Sequence, residues 1–507
     1  MPFIGTGKLM SLALSFLLLT TATPASPEVT ADVSDEVLTY FNELAAIPRP
    51  SGHEQAVGKY LVSWAKEQGF EATKDKLGNV IFDVPATAGC ESKPLTVLQG
   101  HMDMVAVSDD AGFDPETDPI TTVRSGDLLT AKGTSLGADD GAGLAVIMTY
   151  VASDCAHGPL RVIVTVNEEN GLTGVKGLDP KCVEDAKYLI NLDNETEGSI
   201  CVSTAGNTVL DVSGKAETVK PKLDSALSVK LHGLAGGHSG ICINSGRINA
   251  VVSLAEMLLS LEENGIEYEL SAFTGGSVNN AIPNEAEALI VVDAEDKETA
   301  SELFGDLAEE LGSVYATSDR DVQVDVKTVQ TPAKVFTEAL RADIVDFACL
   351  VPNGVNTMSQ RVSGLVESSS NLGAVKADGE GVSFSICVRS SQQPLMDSLL
   401  LRQQRLAELC GFTSEIACGS DAWPVDPDAE LPKLIAEIYL EQTGNEAVVE
   451  SVHAGLECGT FARMNEEIDM VCIGAQIDGA HTTSETLHIS SVNTLYELLS
   501  ETLARLK

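Results

Sequence analysis

Apolar residues first fall into a helical pattern at Ser34, where Val37, Leu38, Phe41, Leu44 and Ala45 share one face, the stripe of an amphipathic helix. A Pro48-Arg49-Pro50-Ser51-Gly52 break follows, then a second helix over about 54–68 that turns Val57, Tyr60, Leu61 and Trp64 inward. Beyond it the chain changes to short apolar, β-branched runs. Those over 79–84, 95–98, 160–166 and 187–192 read as strands, and 141–153 as a helix. Short apolar strands alternating with helices are what a sheet covered on both faces produces.

From about residue 207 the texture differs. A strand over 226–231 and a helix over 246–261 precede two successive strands, 266–273 and 286–293. A helix over 298–311, a strand over 322–329, a helix over 336–348, a strand over 382–388 and a helix over 396–409 complete this part. Strands that follow one another without a helix between them indicate an antiparallel α+β unit. The segment Ala422-Trp423-Pro424-Val425-Asp426-Pro427-Asp428 reads as a linker. A helix over 431–439, a strand over 470–474 and a helix over 492–506 then restore the first texture. At 507 residues the chain is too long for a single core. The pattern predicts a discontinuous α/β domain over residues 27–206 and 421–507, with a central mixed sheet flanked by helices. An inserted α+β domain over 207–420 interrupts it.

Charge narrows the function classes. Lys and Arg number 32 against 75 Asp and Glu, a net charge of −43, which repels nucleic acid and anionic lipid. The apolar run from Leu9 to Leu19 is too short for a bilayer, which needs ~20 residues. It fits the apolar centre of a signal peptide over residues 1–26, with cleavage after Ala22 or Ala25, and so predicts export and no stable membrane insertion. The cysteines predict the alternative, a cytoplasmic protein. There are 11, without a Cys-x-x-Cys pair, and Cys201, Cys349, Cys387 and Cys472 lie inside apolar runs where a free thiol acts as a small hydrophobe.

The candidate chemistry clusters at strand ends. His101-Met102-Asp103 follows an apolar strand and Gly100, at the carboxyl end where open α/β sheets build their sites. Asp139-Asp140 lies in a glycine-rich turn opening a helix, where one carboxylate, Asp140, is expected to cap the helix and the other to bridge cations. Glu168-Glu169 ends the next strand, and on an extended chain the two side chains point to opposite sides. Asp193 ends another strand, and Gly479-Ala480-His481 follows the last. Carboxylates at the edge of a core need partners. Histidines and carboxylates without cysteine suggest zinc, with manganese or cobalt as substitutes. A leftover Glu beside such ions is suited to act as general base.

These residues resemble the M20 metallopeptidases, and more narrowly their aminoacyl-histidine dipeptidase branch. The resemblance is carried by His101-Met102-Asp103-Met104-Val105, Gly133 to Asp139 (GTSLGAD), Thr165 to Gly171 (TVNEENG) and Asn191-Leu192-Asp193. It continues through Gly236-Gly237-His238-Ser239-Gly240, Asn279-Asn280-Ala281-Ile282-Pro283, His453 to Gly459 (HAGLECG) and Gly479-Ala480-His481. It implies a di-zinc catalytic domain and makes the insertion a lid. It also implies two zinc ions per chain, one held by His101, Asp139 and Asp193, the other by Asp139, Glu169 and His481. Glu168 would be the general base and Asp103 the support of His101. His238 would stabilise the oxyanion, while Asn279 (or Asn280) and Arg389 would bind substrate, Arg389 taking a terminal carboxylate. The implied activity is hydrolysis of dipeptides with a free N-terminus, Xaa-His among them. A homodimer is compatible with the resemblance, and whether His238 serves its own site or a partner's stays open. Asp140 stands where the branch usually has Asn, and Thr482-Thr483-Ser484-Glu485 where it usually has Ser-Pro-Asp-Glu. These departures keep a deacylase or tripeptidase acting on another amide as the alternative. A non-catalytic peptide-binding protein of this fold is disfavoured by the complete ligand set.

Overall fold

Alternation along the first strands decides how their sheet is covered. In the computed structural model, which describes residues 32–360, 362 and 364–507, Leu98, Val162, Val164 and Ile190 pack into one core and Val97, Ile163 and Leu189 into another on the opposite face. Successive strand residues point to opposite sides, so two apolar layers require helices on both. The sheet order is Thr73–Lys74, Val80–Val84, Leu160–Thr165, Thr96–His101, Tyr188–Asn191, Asp469–Cys472, Ser199–Thr204 and Val448–Val452. Leu160–Thr165, Thr96–His101, Tyr188–Asn191 and Asp469–Cys472 run parallel, while the partners beyond them on each side pair antiparallel. The sheet is therefore mixed, and four carboxyl ends meet along one edge.

The helix Ala138–Val151 has every residue buried and packs against the helix Ser34–Ala45 on one side of this sheet. Gln55–Glu67, Leu431–Thr443 and Ile489–Arg505 contribute to the same core, whereas Cys458 and Phe461 of Glu457–Met464 and Trp423 cover the other face.

The second sheet is antiparallel and built twice over. Ser225–His232, the helix Ala250–Glu263, Tyr268–Gly276, Ala286–Val292, the helix Lys297–Val314 and Gln323–Val329 form one βαββαβ unit. Gly206–Gly214, the helix Glu338–Leu350, Val366–Ala377, Val382–Ser390, the helix Gln393–Leu409 and Thr413–Ser420 repeat that order. The units join where Tyr268–Gly276 pairs with Val366–Ala377, the second strand of each, so the strand order reads outward symmetrically from that seam. A core separate from that of the first sheet lies beneath the helices. Both sheets belong to one compact unit, Val33–Lys507. No helix among the described residues is long and apolar enough to cross a membrane, and residues 1–26, predicted to be a signal peptide, lie outside them.

Candidate active site

Three strand ends, the first turn of the helix Ala138–Val151 and a loop after Ile477–Asp478 deliver the metal-type residues to one place. His101 is the last residue of its strand rather than the first of a loop, and it is 1% exposed. Its Nε2 lies 3.0 Å from Asp139 Oδ1 and 3.2 Å from Asp193 Oδ1. On the other side, His481 Nε2 lies 2.9 Å from Asp139 Oδ2 and 2.8 Å from Glu169 Oε1. Two three-atom sets therefore share one carboxylate, with one Asp139 oxygen in each.

An imidazole nitrogen facing two carboxylate oxygens needs a positive charge at the point between them. The electrostatics agree: Asp139 and Glu169 push the His481 imidazole up to about 11. Against the cost of burial, Asp193, Asp103 and Asp139 hold His101 well above the usual imidazole range. Ligands bound ~2.0–2.2 Å from one zinc ion stand about 3–3.5 Å from each other, close to the spacings found here. The ligand atoms of His101, Asp139 and Glu169 also lie within 4.8 Å of one another. The donor set fits divalent cations.

Asp103 is fully buried, and its carboxylate organises the neighbouring turn. Oδ1 accepts from the Glu168 N–H at 3.0 Å, and Oδ2 accepts from the Glu169 N–H at 3.3 Å and from Ser51 Oγ at 2.8 Å. His101 Nδ1 lies 3.5 Å from Oδ1, long for a hydrogen bond but close enough to be oriented by the charge. Burial opposes ionisation of Asp103, yet His101, Ser51 and the Glu168 N–H hold it below the ordinary range. Glu168 goes the other way: burial, with Asp193, Glu457 and Glu169 nearby, raises its carboxyl well above the usual value. It makes no ion pair among the described residues.

Across a cavity of about 590 Å³ stands the lid sheet. Glu168, Glu169 and His481 line one side, and His238, Asn279, Asn280 and Arg389 line the other. A single chain supplies both walls. His238 Nδ1 accepts from the Gly240 and Ile241 N–H groups at 3.3 and 3.2 Å, which leaves the ring proton on Nε2. Burial and Arg389 lower its affinity for a second proton. Arg389 is 3% exposed, its Nε has no partner, and its Nη2 lies 3.5 Å from His238 Nε2.

Comparison with known proteins identifies this arrangement. The family model for peptidase family M20/M25/M40 matches residues 97–505. The chain is a member of that family. It is 34% identical over 468 residues to the cytosol non-specific dipeptidase of Escherichia coli (strain K12), covering 91% of this chain and 96% of that one. The crystal structure of the aminoacylhistidine dipeptidase from Vibrio alginolyticus superposes with a TM-score of 0.86 at 33% identity, covering 95% and 98% of the two chains. The di-peptidase Dug1p from Saccharomyces cerevisiae, 14% identical with a TM-score of 0.51 over 93% and 95% of the chains, shares the fold.

Within this M20 peptidase the expected site residues come together, and two local expectations fail. Asp140 does not cap the helix at Ala138: its Oδ2 accepts from the His101 N–H at 3.1 Å. Space for it exists only because residues 100 and 143 are glycines, where a Cβ would meet Asp140 oxygens at 2.1 Å. The cap comes from Glu485, 2% exposed, whose carboxylate accepts from the N–H groups of Leu136, Gly137 and Ala138 at 2.7, 2.9 and 2.7 Å. A carboxylate is favoured there because the first helical N–H groups have no intrahelical acceptor. Glu168 and Glu169 are not on extended chain: Asn167 has φ +53° and starts a turn, so both N–H groups reach Asp103. Arg389 stands at the end of its strand as expected, next to the last residue of Val382–Ser390, and is buried.

Two further residues support the site. Arg49, from the Pro-Arg-Pro break, is 1% exposed and donates to the carbonyls of Met102, Asp103 and Gly137 at 3.0, 2.9 and 2.5 Å. Glu457 is fully buried, accepts from Gln99 Nε2 and Thr165 Oγ1 at 2.5 and 2.7 Å, and has its carboxyl raised by burial to about 7.

Proposed function

We propose that this chain, a metallo-dipeptidase by its family and its relatives, hydrolyses dipeptides with a free N-terminus, including Xaa-His, using two zinc ions and Glu168 as general base. One observation carries the reading: two ligand sets bridged by Asp139 face, across one cavity, a buried guanidinium that no carboxylate pairs with among the described residues. His101, Asp139 and Asp193 would hold one ion, and Asp139, Glu169 and His481 the other. When bound, such a pair supplies a water of lowered pKa and polarises the scissile carbonyl.

The remaining work belongs to side chains. Arg389 takes the C-terminal carboxylate as a charge-assisted fork, and Asn279 offers its amide beside it. His238, carrying its proton on Nε2, donates to the carbonyl oxygen as negative charge builds there. Glu168, which pairs with neither imidazole, takes a proton from the water and hands it to the leaving amine. Asp103 keeps both Glu168 and His101 in place. Residues 27–206 and 421–507 are read as the catalytic domain and 207–420 as the lid. The free state of all 11 cysteines and the cytosolic naming of the E. coli relative support a reducing compartment over export.

A panel of Xaa-His and β-alanyl-His dipeptides, other dipeptides and N-acyl amino acids, assayed with added zinc, manganese or cobalt, tests the reading. Cleavage of dipeptides is expected. Cleavage of the acyl compounds alone would replace the reading with a deacylase.

A further inference from the structure

Three lid strands present a patch of two rows to the cavity. Arg389 and Ser420 both pair with Asn207, and Cys387 and Cys418 both pair with Val209. Residues two apart on a strand face the same side, so the polar row and the thiol row lie side by side, and all six residues line the cavity. The thiols differ: Cys387 is buried and burial pushes it up, whereas Cys418 is exposed. Their Cα atoms stand two strand spacings apart, about 10 Å, beyond the ~7 Å that a disulfide spans. They cannot protect each other. Arg389, buried with its Nε unpartnered, marks the cavity as a receptor for anions.

We propose that Cys418 is a modification site at which small disulfides carrying a free carboxylate form a mixed disulfide and close the substrate cavity. Arg389 captures the carboxylate. Two strands and two residues place its Cα about 12 Å from that of Cys418, a span that both side chains shorten to the reach of a short peptide. The Cys418 proton passes to solvent and its thiolate attacks one sulfur of the reagent. The new S–S bond forms as the old one breaks, and the departing thiolate takes up a proton. Cys418 is oxidised, half of the reagent is reduced, and no further oxidant is required. The proposal rests on reading Arg389 as a carboxylate anchor and is independent of the Glu168 chemistry.

The metal-loaded enzyme is incubated with oxidised glutathione, or with cystamine, which lacks a carboxylate. Peptide mapping is expected to place the glutathionyl group on Cys418, with hydrolysis falling in step with the labelled fraction and returning after phosphine reduction. A dipeptide slows the labelling, and oxidised glutathione reacts about fivefold faster relative to cystamine than it does in Arg389→Met, the factor that one charge contact supplies. Cys418→Ser keeps its own untreated rate in oxidised glutathione. Labelling at another cysteine, or equal inactivation of Cys418→Ser, overturns the proposal. An unchanged reagent preference in Arg389→Met overturns the steering, and an unchanged dipeptide KM in that variant separately overturns the anchor.

Discussion

The two walls of the cavity carry unpaired charge of opposite sign and are held in opposite ways. On the strand-end wall, carboxylates crowd around two imidazoles, and two carboxylates that are not ligands hold the ligand-bearing segments: Asp103 accepts from the Glu168 and Glu169 N–H groups, and Asp140 from the His101 N–H. The donor set of this wall fits divalent cations. On the lid wall a single guanidinium lies buried with capacity to spare. A dipeptide carries a carboxylate at one end and a reacting carbonyl near the other, so polarity across the cavity orients it before any contact with its side chains. On the proposed reading, chemistry and recognition are divided between the walls.

That division predicts different kinetic signatures. Glu168→Gln keeps the shape of the strand-end wall and removes the base, so kcat is expected to fall by about 10²–10⁴ while metal analysis still finds two ions per chain. Loss of metal would make Glu168 a ligand and erase the distinction. Arg389→Met, on the other wall, is expected to raise KM by about 10- to 100-fold, the loss of a hydrogen bond to a charged group, with kcat changed far less. A fall in kcat with KM unchanged would move Arg389 to the reacting side.

The walls also differed in how far they could be read from residues alone. His101, Asp193 and the Glu168-Glu169 pair each follow an apolar run, so local pattern located them. On the lid side the strand of Arg389 was read, but the strand it pairs with has no such pattern. Val366–Ala377 begins Val-Glu-Ser-Ser-Ser-Asn and resembles a loop, yet Ser368 to Asn371 are buried. Their polar atoms are satisfied by distant partners: Ser369 by His453, Ser370 by Gln403, and Asn371 by the carbonyls of Asn279 and Ala281. Burial of polar side chains is affordable only with such bonds, and no local window contains them. The Asp140 and Glu485 roles were hidden for the same reason, because each acts on a segment far along the chain.

Glu485 sharpens the comparison within the strand-end wall. It follows His481 by four residues and grips the N–H groups beside Asp139, so it fastens one ligand loop to the bridging turn. Glu485→Gln keeps the size but loses the charge and one acceptor, and is expected to cost about 1–3 kcal/mol of stability, read from the urea midpoint. Metal titration should show the ion assigned to His481 weakened more than the one assigned to His101. Equal weakening of both would make Glu485 a general stabiliser rather than a fastener of one loop.

A pH-dependent effect of similar size is expected where the walls touch. His453 lies on the loop leading to Glu457, and its Nε2 is 2.7 Å from Ser369 Oγ on the lid strand. Burial, with Arg389 and His238 facing it, lowers its pKa from 6.5 to about 4. The folded imidazole therefore stays neutral at pH values where the unfolded one has already taken a proton. Its contribution is intact above about 6.5 and is lost as pH falls toward 4. Between pH 7 and pH 5 the shift amounts to about 2 kcal/mol. His453→Gln retains a hydrogen-bonding group without a titrating proton, so the variant should lose less stability than the parent over that interval in paired urea titrations. Parallel losses in the two proteins would mean that the contact between the walls does not titrate, and that the acid sensitivity of the molecule lies in the strand-end carboxylates instead.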